Sequence, residues 1–171
     1  ETKCQVLRMN LQKQVIITIV ILSVLAPTLI ISTAMASPRF VETPTIEKNS
    51  NSSLTADFNA TGLANLATTT YLSSSGGDSG LTCVDLQQQS APSKLFSFNA
   101  LKGPEVIIQP VNGEISNSST IGPPQLPSAS DFCFISALNI EIESITYEDV
   151  VLHVQQNGLN VLTFDFGNVD P

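Results

Sequence analysis

The last third of the chain alternates. Leu138, Ile140 and Ile142 are separated by Asn139 and Glu141, and Glu143 follows; Val150, Leu152 and Val154 alternate with Val151, His153 and Gln155. Successive side chains of a strand point to opposite faces, so a period of two buries one face and wets the other. Asn157-Gly158 supplies the positive φ angles of a two-residue hairpin turn, and Val161 to Phe166 returns as the partner strand. Residues 138–166 therefore read as two or three neighbouring strands closed by tight turns, with Glu148-Asp149 at an intervening turn.

The same period recurs upstream. Leu54, Ala56 and Phe58 alternate with Thr55 and Asp57, and Gly62 and Asn65 punctuate a turn. Leu66 to Ser74 is rich in Thr and Tyr, which suit a pleated surface. Ser75-Gly76-Gly77-Asp78-Ser79-Gly80 reads as a flexible turn before a strand at Leu81 to Asp85, and residues 87–92 as a polar loop. Lys94 to Asn99 and Val106 to Gln109 read as further strands, Val111 to Ser130 as loop, and Phe132-Cys133-Phe134 as the opening of the final strands. No stretch beyond the N-terminal region has a period of 3.6. The expected fold is all-β: one immunoglobulin-like β-sandwich of about seven or eight antiparallel strands over 54–171. No Trp lies between the cysteines, so the likeness to an immunoglobulin domain is one of architecture.

The N-terminal region differs in kind. Val15 to Ile31 is a nearly unbroken apolar run of 17 residues, preceded by Lys13 and followed by Ala34-Met35-Ala36 and Ser37-Pro38. A basic start, an apolar core and a small-x-small end make a secretory signal, with cleavage between Ala36 and Ser37. The alternative is an uncleaved hydrophobic helix, since 17 residues lie near the lower limit of a membrane span. Pro27, late in the run, favours cleavage. Met9 is the expected start of translation. Residues 1–36 are thus assigned to an upstream segment and signal, and 37–53, with Pro38, Pro44 and the run Asn49 to Ser53, to a flexible polar linker.

Cysteine usage agrees with export. Cys4 falls in the segment that cleavage removes, leaving Cys83 and Cys133. In an oxidising compartment these two are expected to pair. Such a bridge would close a loop of 50 residues and contribute about 4 kcal/mol in the loop-entropy model. The other reading of two cysteines, a zinc site, wants four ligands, and there is no Cys-x-x-Cys and no second His.

Charge narrows the partners. The whole chain carries −8. After Ala36 it holds 4 basic and 14 acidic side chains, and Arg39, Lys48, Lys94 and Lys102 do not cluster. Nucleic-acid binding needs a basic stripe, and an anionic membrane surface needs one too. Membrane contact is expected only through residues 15–31 if they are retained.

The chemical inventory is short. His153 is the only histidine and sits mid-strand, no Gly-x-Ser-x-Gly occurs, and paired cysteines cannot serve as nucleophiles. Glu141 and Glu143 share a strand face and Asp165 lies on a neighbouring strand. Set 5–9 Å apart in a cleft, two such acids could hydrolyse a glycosidic bond; with more oxygens they could hold Ca²⁺. The plainer reading is a solvated strand face kept charged against edge pairing. Three triplets, at Asn51, Asn59 and Asn117, match the N-glycosylation pattern. Asn51 and Asn117 fall in expected loops and are the favoured acceptors. The pairs Phe96/Phe98, Phe132/Phe134 and Phe164/Phe166 read as core, or as a binding patch where exposed.

Gly62-Leu63-Ala64-Asn65, the Thr-rich strand ending at Thr82-Cys83, Ile142 to Tyr147 leading into Val150 to Val154, and Gly158 to Phe164 together resemble a group of small exported prokaryotic proteins without an assigned function. The resemblance covers most of 55–166. It departs after the first cysteine, where members carry an Asn-Pro-Gly-Gly-Asn-like loop and this chain has Asp85-Leu86-Gln87-Gln88-Gln89. It implies export, a β-sandwich and paired cysteines, and no activity.

The expected function is that of a non-enzymatic exported domain at the cell surface or outside the cell, with no cofactor. Its partner would be an extracellular protein or a surface glycan. The alternatives are an exported carboxylate-using enzyme or Ca²⁺-dependent carbohydrate binder at Glu141, Glu143 and Asp165, and a membrane-anchored ectodomain.

Overall fold

Two long strands form the spine. β4 (Thr68–Val84) and β8 (Asn139–Gln156) pair antiparallel along almost their whole lengths, from Thr68 opposite Gln156 to Val84 opposite Asn139. The computed structural model describes residues 36–85, 93–133 and 139–170, which fall in one unit, Met35–Pro171. β5 (Lys94–Lys102) and β6 (Val106–Ile108) follow one another along the free side of β4. β9 (Leu159–Val169) lines β8 after the expected Asn157-Gly158 turn, whose φ angles are 52° and 75°. The smaller sheet centres on β3 (Leu54–Thr61), with β1 (Arg39–Phe40) and β2 (Thr45–Lys48) on one side and β7 (Ile115–Ile121) on the other. The protein is all-β, with two antiparallel sheets.

Both sheets send their apolar faces into one core. Leu54, Ala56, Phe58, Ala60, Ile115 and Ile121 come from the smaller sheet, and Leu72, Ile145, Tyr147, Val150, Leu152 and Val154 from the larger. A fully buried side chain of this kind stabilises the fold by about 1.5–3 kcal/mol. The expected linker 37–53 is not a linker: it supplies β1 and β2, and Phe40 packs edge-to-face on Phe58 and Phe164 at about 6 Å between centroids. Phe132 does not open a strand either. It ends a one-turn helix, α1 (Ala129–Phe132), capped by Ser128, whose Oγ accepts from the Asp131 N–H at 3.2 Å. Cys133 follows and is bonded to Cys83 near the end of β4. The disulfide thus ties the proline-bearing segment after β7 to the far end of the spine.

The expected turns at 75–80 and 148–149 are absent, and a reversal of the pleat stands in their place. Up to Gly76 the buried residues of β4 are the even ones, Thr68, Thr70, Leu72 and Ser74; beyond it they are odd, Gly77, Ser79, Leu81 and Cys83. β8 changes phase at the same level, with Tyr147 and Ile145 buried on one side of Glu148-Asp149 and Val150, Leu152 and Val154 on the other. Gly76 lies opposite Glu148, so the two strands invert together and their register survives. The inversion needs positive φ, taken by Gly76 (149°), Gly77 (157°) and Asp149 (46°). A Cβ on Gly77 would collide with the Thr146 carbonyl oxygen.

Tyr147, at this crossing, reaches the smaller sheet: its buried hydroxyl donates to the Ser52 carbonyl at 2.7 Å. Burial pushes its pKa up to about 12. With no Trp in the chain, tyrosinate absorbance reads it cleanly: one of the two tyrosines should ionise only near pH 12 in a spectrophotometric titration of the folded protein. Titration of both below pH 11 would contradict this placement. For the pleat reversal, Gly77→Ala should cost about 1–3 kcal/mol in urea unfolding. Gly158→Ala, at a φ of 75° with nothing within 4 Å, should cost about 1 kcal/mol. Equal losses would remove the steric argument at Gly77.

Candidate functional site

The richest side-chain chemistry lies on the outer face of the larger sheet, below the pleat reversal. Outward positions of β4 and β8 set Tyr71 opposite His153 and Ser73 opposite Val151, while Lys102 of β5 lies opposite Ser73. Together with Asp149 these residues line a shallow depression of about 590 Å³. The His153 ring stacks on Tyr71, 4.5 Å between centroids and 15° from parallel. Lys102 Nζ sits 4.2 Å from the Tyr71 centroid and pairs with Glu105 at 2.5 Å. The Glu105 hydrogen bond raises the Lys102 pKa. With an imidazole and an ammonium against its ring, Tyr71 is a held element rather than an open stacking platform.

Ser73 Oγ and His153 Nε2 are 2.9 Å apart, the spacing of a nucleophile and its base. The rest of the geometry opposes that reading. His153 Nδ1 is buried and meets no partner in hydrogen-bonding geometry among the described residues. A triad needs a third group there to hold the base and stabilise its charge. An orphaned buried N–H is rarer and costlier than an orphaned lone pair. We therefore assign the ring proton to Nε2, which donates to Ser73 Oγ. Ser73 is then an acceptor, and nothing draws off its own proton. Burial lowers the His153 pKa, opposed by neighbouring Asn160 and reinforced by the charge of Lys102. The neutral ring is the folded form at neutral pH. Ser79, the other buried side chain without a partner among the described residues, is on the core face and has no access to His153.

The acids do not converge. Glu141 lies opposite Thr82, and Glu143 Oε2 accepts from Thr82 Oγ1 at 3.0 Å. Asp165 lies opposite Val151, and its Oδ1 accepts from the Gly167 N–H at 2.7 Å. Ten strand positions separate Glu141 from Val151, about 33 Å at 3.3 Å per residue. Glu141, Glu143 and Asp165 therefore cannot share a Ca²⁺ ion or face one sugar ring. The intervening turn that would have folded them together is continuous strand. No cluster of three or more His, Cys, Asp or Glu side chains among the described residues is arranged to hold a metal.

The acceptor asparagines also move. Asn117 is not in a loop but in mid-β7, opposite Phe58, and its Nδ2 donates inward to Thr70 Oγ1 at 3.0 Å. A glycan on that nitrogen would have to part the sheets. Asn51 is exposed in the turn before β3, with its Oδ1 bound by the Ser53 N–H and hydroxyl. Among the aromatic pairs, Phe164 packs on Phe166 at 4.9 Å and Phe98 on Tyr147 at 5.6 Å, and Lys94 lies over Phe132. These pairs serve packing. Phe134, the 87–92 loop, the apolar run 15–31 and Ala34 lie outside the described residues; Ala36 and Ser37 are described and pass over Gly62 on the way into β1. No protein-family model, no curated protein and no solved structure matches the chain.

Because the folded-state pKa of His153 is depressed, the unfolded chain takes up its proton first, near pH 6.5. Stability should be full above that pH and fall as pH drops through it towards the folded pKa. Urea midpoints measured from pH 8 to 5 should show this decline in the native chain and a flatter profile in His153→Gln. A base-poised His153 predicts a different phenotype: detectable esterase activity that is lost in Ser73→Ala.

Proposed function

We propose that the protein is an exported, immunoglobulin-like β-sandwich that works outside the cell or at its surface as a non-enzymatic structural or interaction domain. The observation that carries this reading is the Cys83–Cys133 bridge. It fastens the segment after β7 across the long strand pair, a device suited to an oxidising compartment and to a surface exposed to proteases. The sequence adds an apolar run ending at Ala34-Met35-Ala36, and β1 begins at Arg39, two residues past Ser37. Cleavage there leaves the folded body almost without a tail. The partner is an extracellular protein or a surface glycan.

If residues 15–31 are instead retained, they anchor the body to the membrane. One measurement separates the two arrangements. The intact mass of protein from medium and membrane fractions, with and without reductant, should match residues 37–171, apart from any attached glycan, and rise by two hydrogens on reduction. A membrane-bound mass that includes residues 9–36 replaces the secreted reading with the anchored one, and a free-thiol protein confined to the cytosol ends both. Cys83→Ser should lower stability by about 2–4 kcal/mol in the secreted protein.

A further inference from the structure

We propose that Asn59 is an N-glycosylation site and that its glycan covers the outer face of the smaller sheet. This rests on the export reading above, since the modification belongs to the secretory route. The triplet Asn59-Ala60-Thr61 lies at the end of β3. Residues two apart on a strand share a face, so Asn59 and Thr61 point outward together while Ala60 is sealed in the core at 1% exposure. Asn59 is exposed, and its side-chain amide makes no hydrogen bond to the described residues; its backbone carbonyl accepts from the Val41 N–H at 2.9 Å. It opens onto a depression of about 430 Å³ whose lining includes Glu42, Thr43, Thr45, Asp57 and Ser116. That hollow gives a first sugar room and several oxygen partners for its hydroxyls.

The other two triplets set the contrast. In Asn117-Ser118-Ser119 the acceptor nitrogen and the terminal hydroxyl both face inward and bind Thr70 Oγ1, at 3.0 and 3.2 Å. In Asn51-Ser52-Ser53 the terminal serine is 4% exposed and its hydroxyl is committed to Asn51 Oδ1 at 2.7 Å. Of the three triplets, this one joins a free amide, open space and an outward terminal hydroxyl, which donates to the exposed Glu114 carboxylate at 3.5 Å. In the transfer, Asn59 Nδ2 attacks the anomeric carbon of an oligosaccharide carried on a lipid phosphate or pyrophosphate. A C–N bond forms, the C–O bond to the phosphate breaks, the lipid phosphate leaves with the electron pair, and the amide proton passes to a base of the transferase. With that face roofed by sugar, the larger sheet, carrying the Tyr71–His153 stack, is the one left for protein partners.

The test is intact mass and glycopeptide mapping of protein recovered from the medium and membrane fractions of its own cells, native and variant. Asn59→Gln should remove one complete glycan mass. Thr61→Ala, which breaks the triplet and spares Asn59, should remove the same mass, and Thr61→Ser should retain it. Asn117→Gln should leave the glycan mass unchanged. An exported protein with cleaved signal and bare polypeptide mass overturns this inference and leaves the export reading standing. A glycan that disappears in Asn117→Gln and persists in Asn59→Gln overturns it as well. A bare protein confined to the cytosol overturns both.

Discussion

Everything in this fold hangs from the pairing of β4 with β8. Each lends its other side to further strands, β5 and β6 to one and β9 to the other, and their inward residues are the floor on which β3 and β7 pack. The pairing survives a reversal of its pleat only because both strands reverse at one level. If one alone changed phase, half of its apolar side chains would turn to water, at about 1.5–3 kcal/mol for each. Gly76 and Gly77 on one strand and Asp149 on the other are the local means to a shared requirement. Tyr147 adds a cross-tie at that level, from the middle of the larger sheet to the turn that precedes β3.

The parts of this architecture written plainly in the sequence are those where apolar and polar residues contrast. Leu54 to Ala60, Val150 to Val154 and the Asn157-Gly158 turn read directly, as does the cysteine pair. The parts that did not read are those where one residue type serves two ends. Glycine with positive φ ends strands in turns, and here it inverts one that continues. Asp149 beside Glu148 carries the composition of a turn and the geometry of a strand. The misreading at 148–149 had a consequence for chemistry, since a turn there would have laid Glu141 and Glu143 beside Asp165. As continuous strand it sends them to opposite ends of the sheet. β1 and β2, two and four residues long, are too short to show a period. In β7, Ile115-Ser116-Asn117-Ser118-Ser119-Thr120-Ile121 offers no apolar contrast between its ends, so nothing in the sequence says which way Asn117 faces.

The two outer faces differ in character. The smaller sheet presents Thr, Ser, Asn and Asp, with side chains bonding across strands, as Ser118 does to Asp57 and Thr55 to Thr120. The larger presents a stacked imidazole and phenol with a lysine above them. The first is a hydrated, neutral-to-acidic surface; the second is a fixed, amphipathic one. The single Ser–His contact belongs to the second and holds His153 in place. A hydrogen bond between a serine and a histidine becomes base chemistry when an acidic third group holds the imidazole, and among the described residues no carboxylate is hydrogen-bonded to His153.

The topology also sets an order of events. Partners across the spine are separated by 55 residues at Val84 and Asn139 and by 88 at Thr68 and Gln156. Contacts so distant form slowly, because the intervening chain must be brought round before they repay its lost freedom. The first strand of the pair can join β5 and β6 soon after it is made, and on its other side it waits for β8. Until Asn139–Gln156 has been made and drawn back along β4, that side of β4 is an open strand edge.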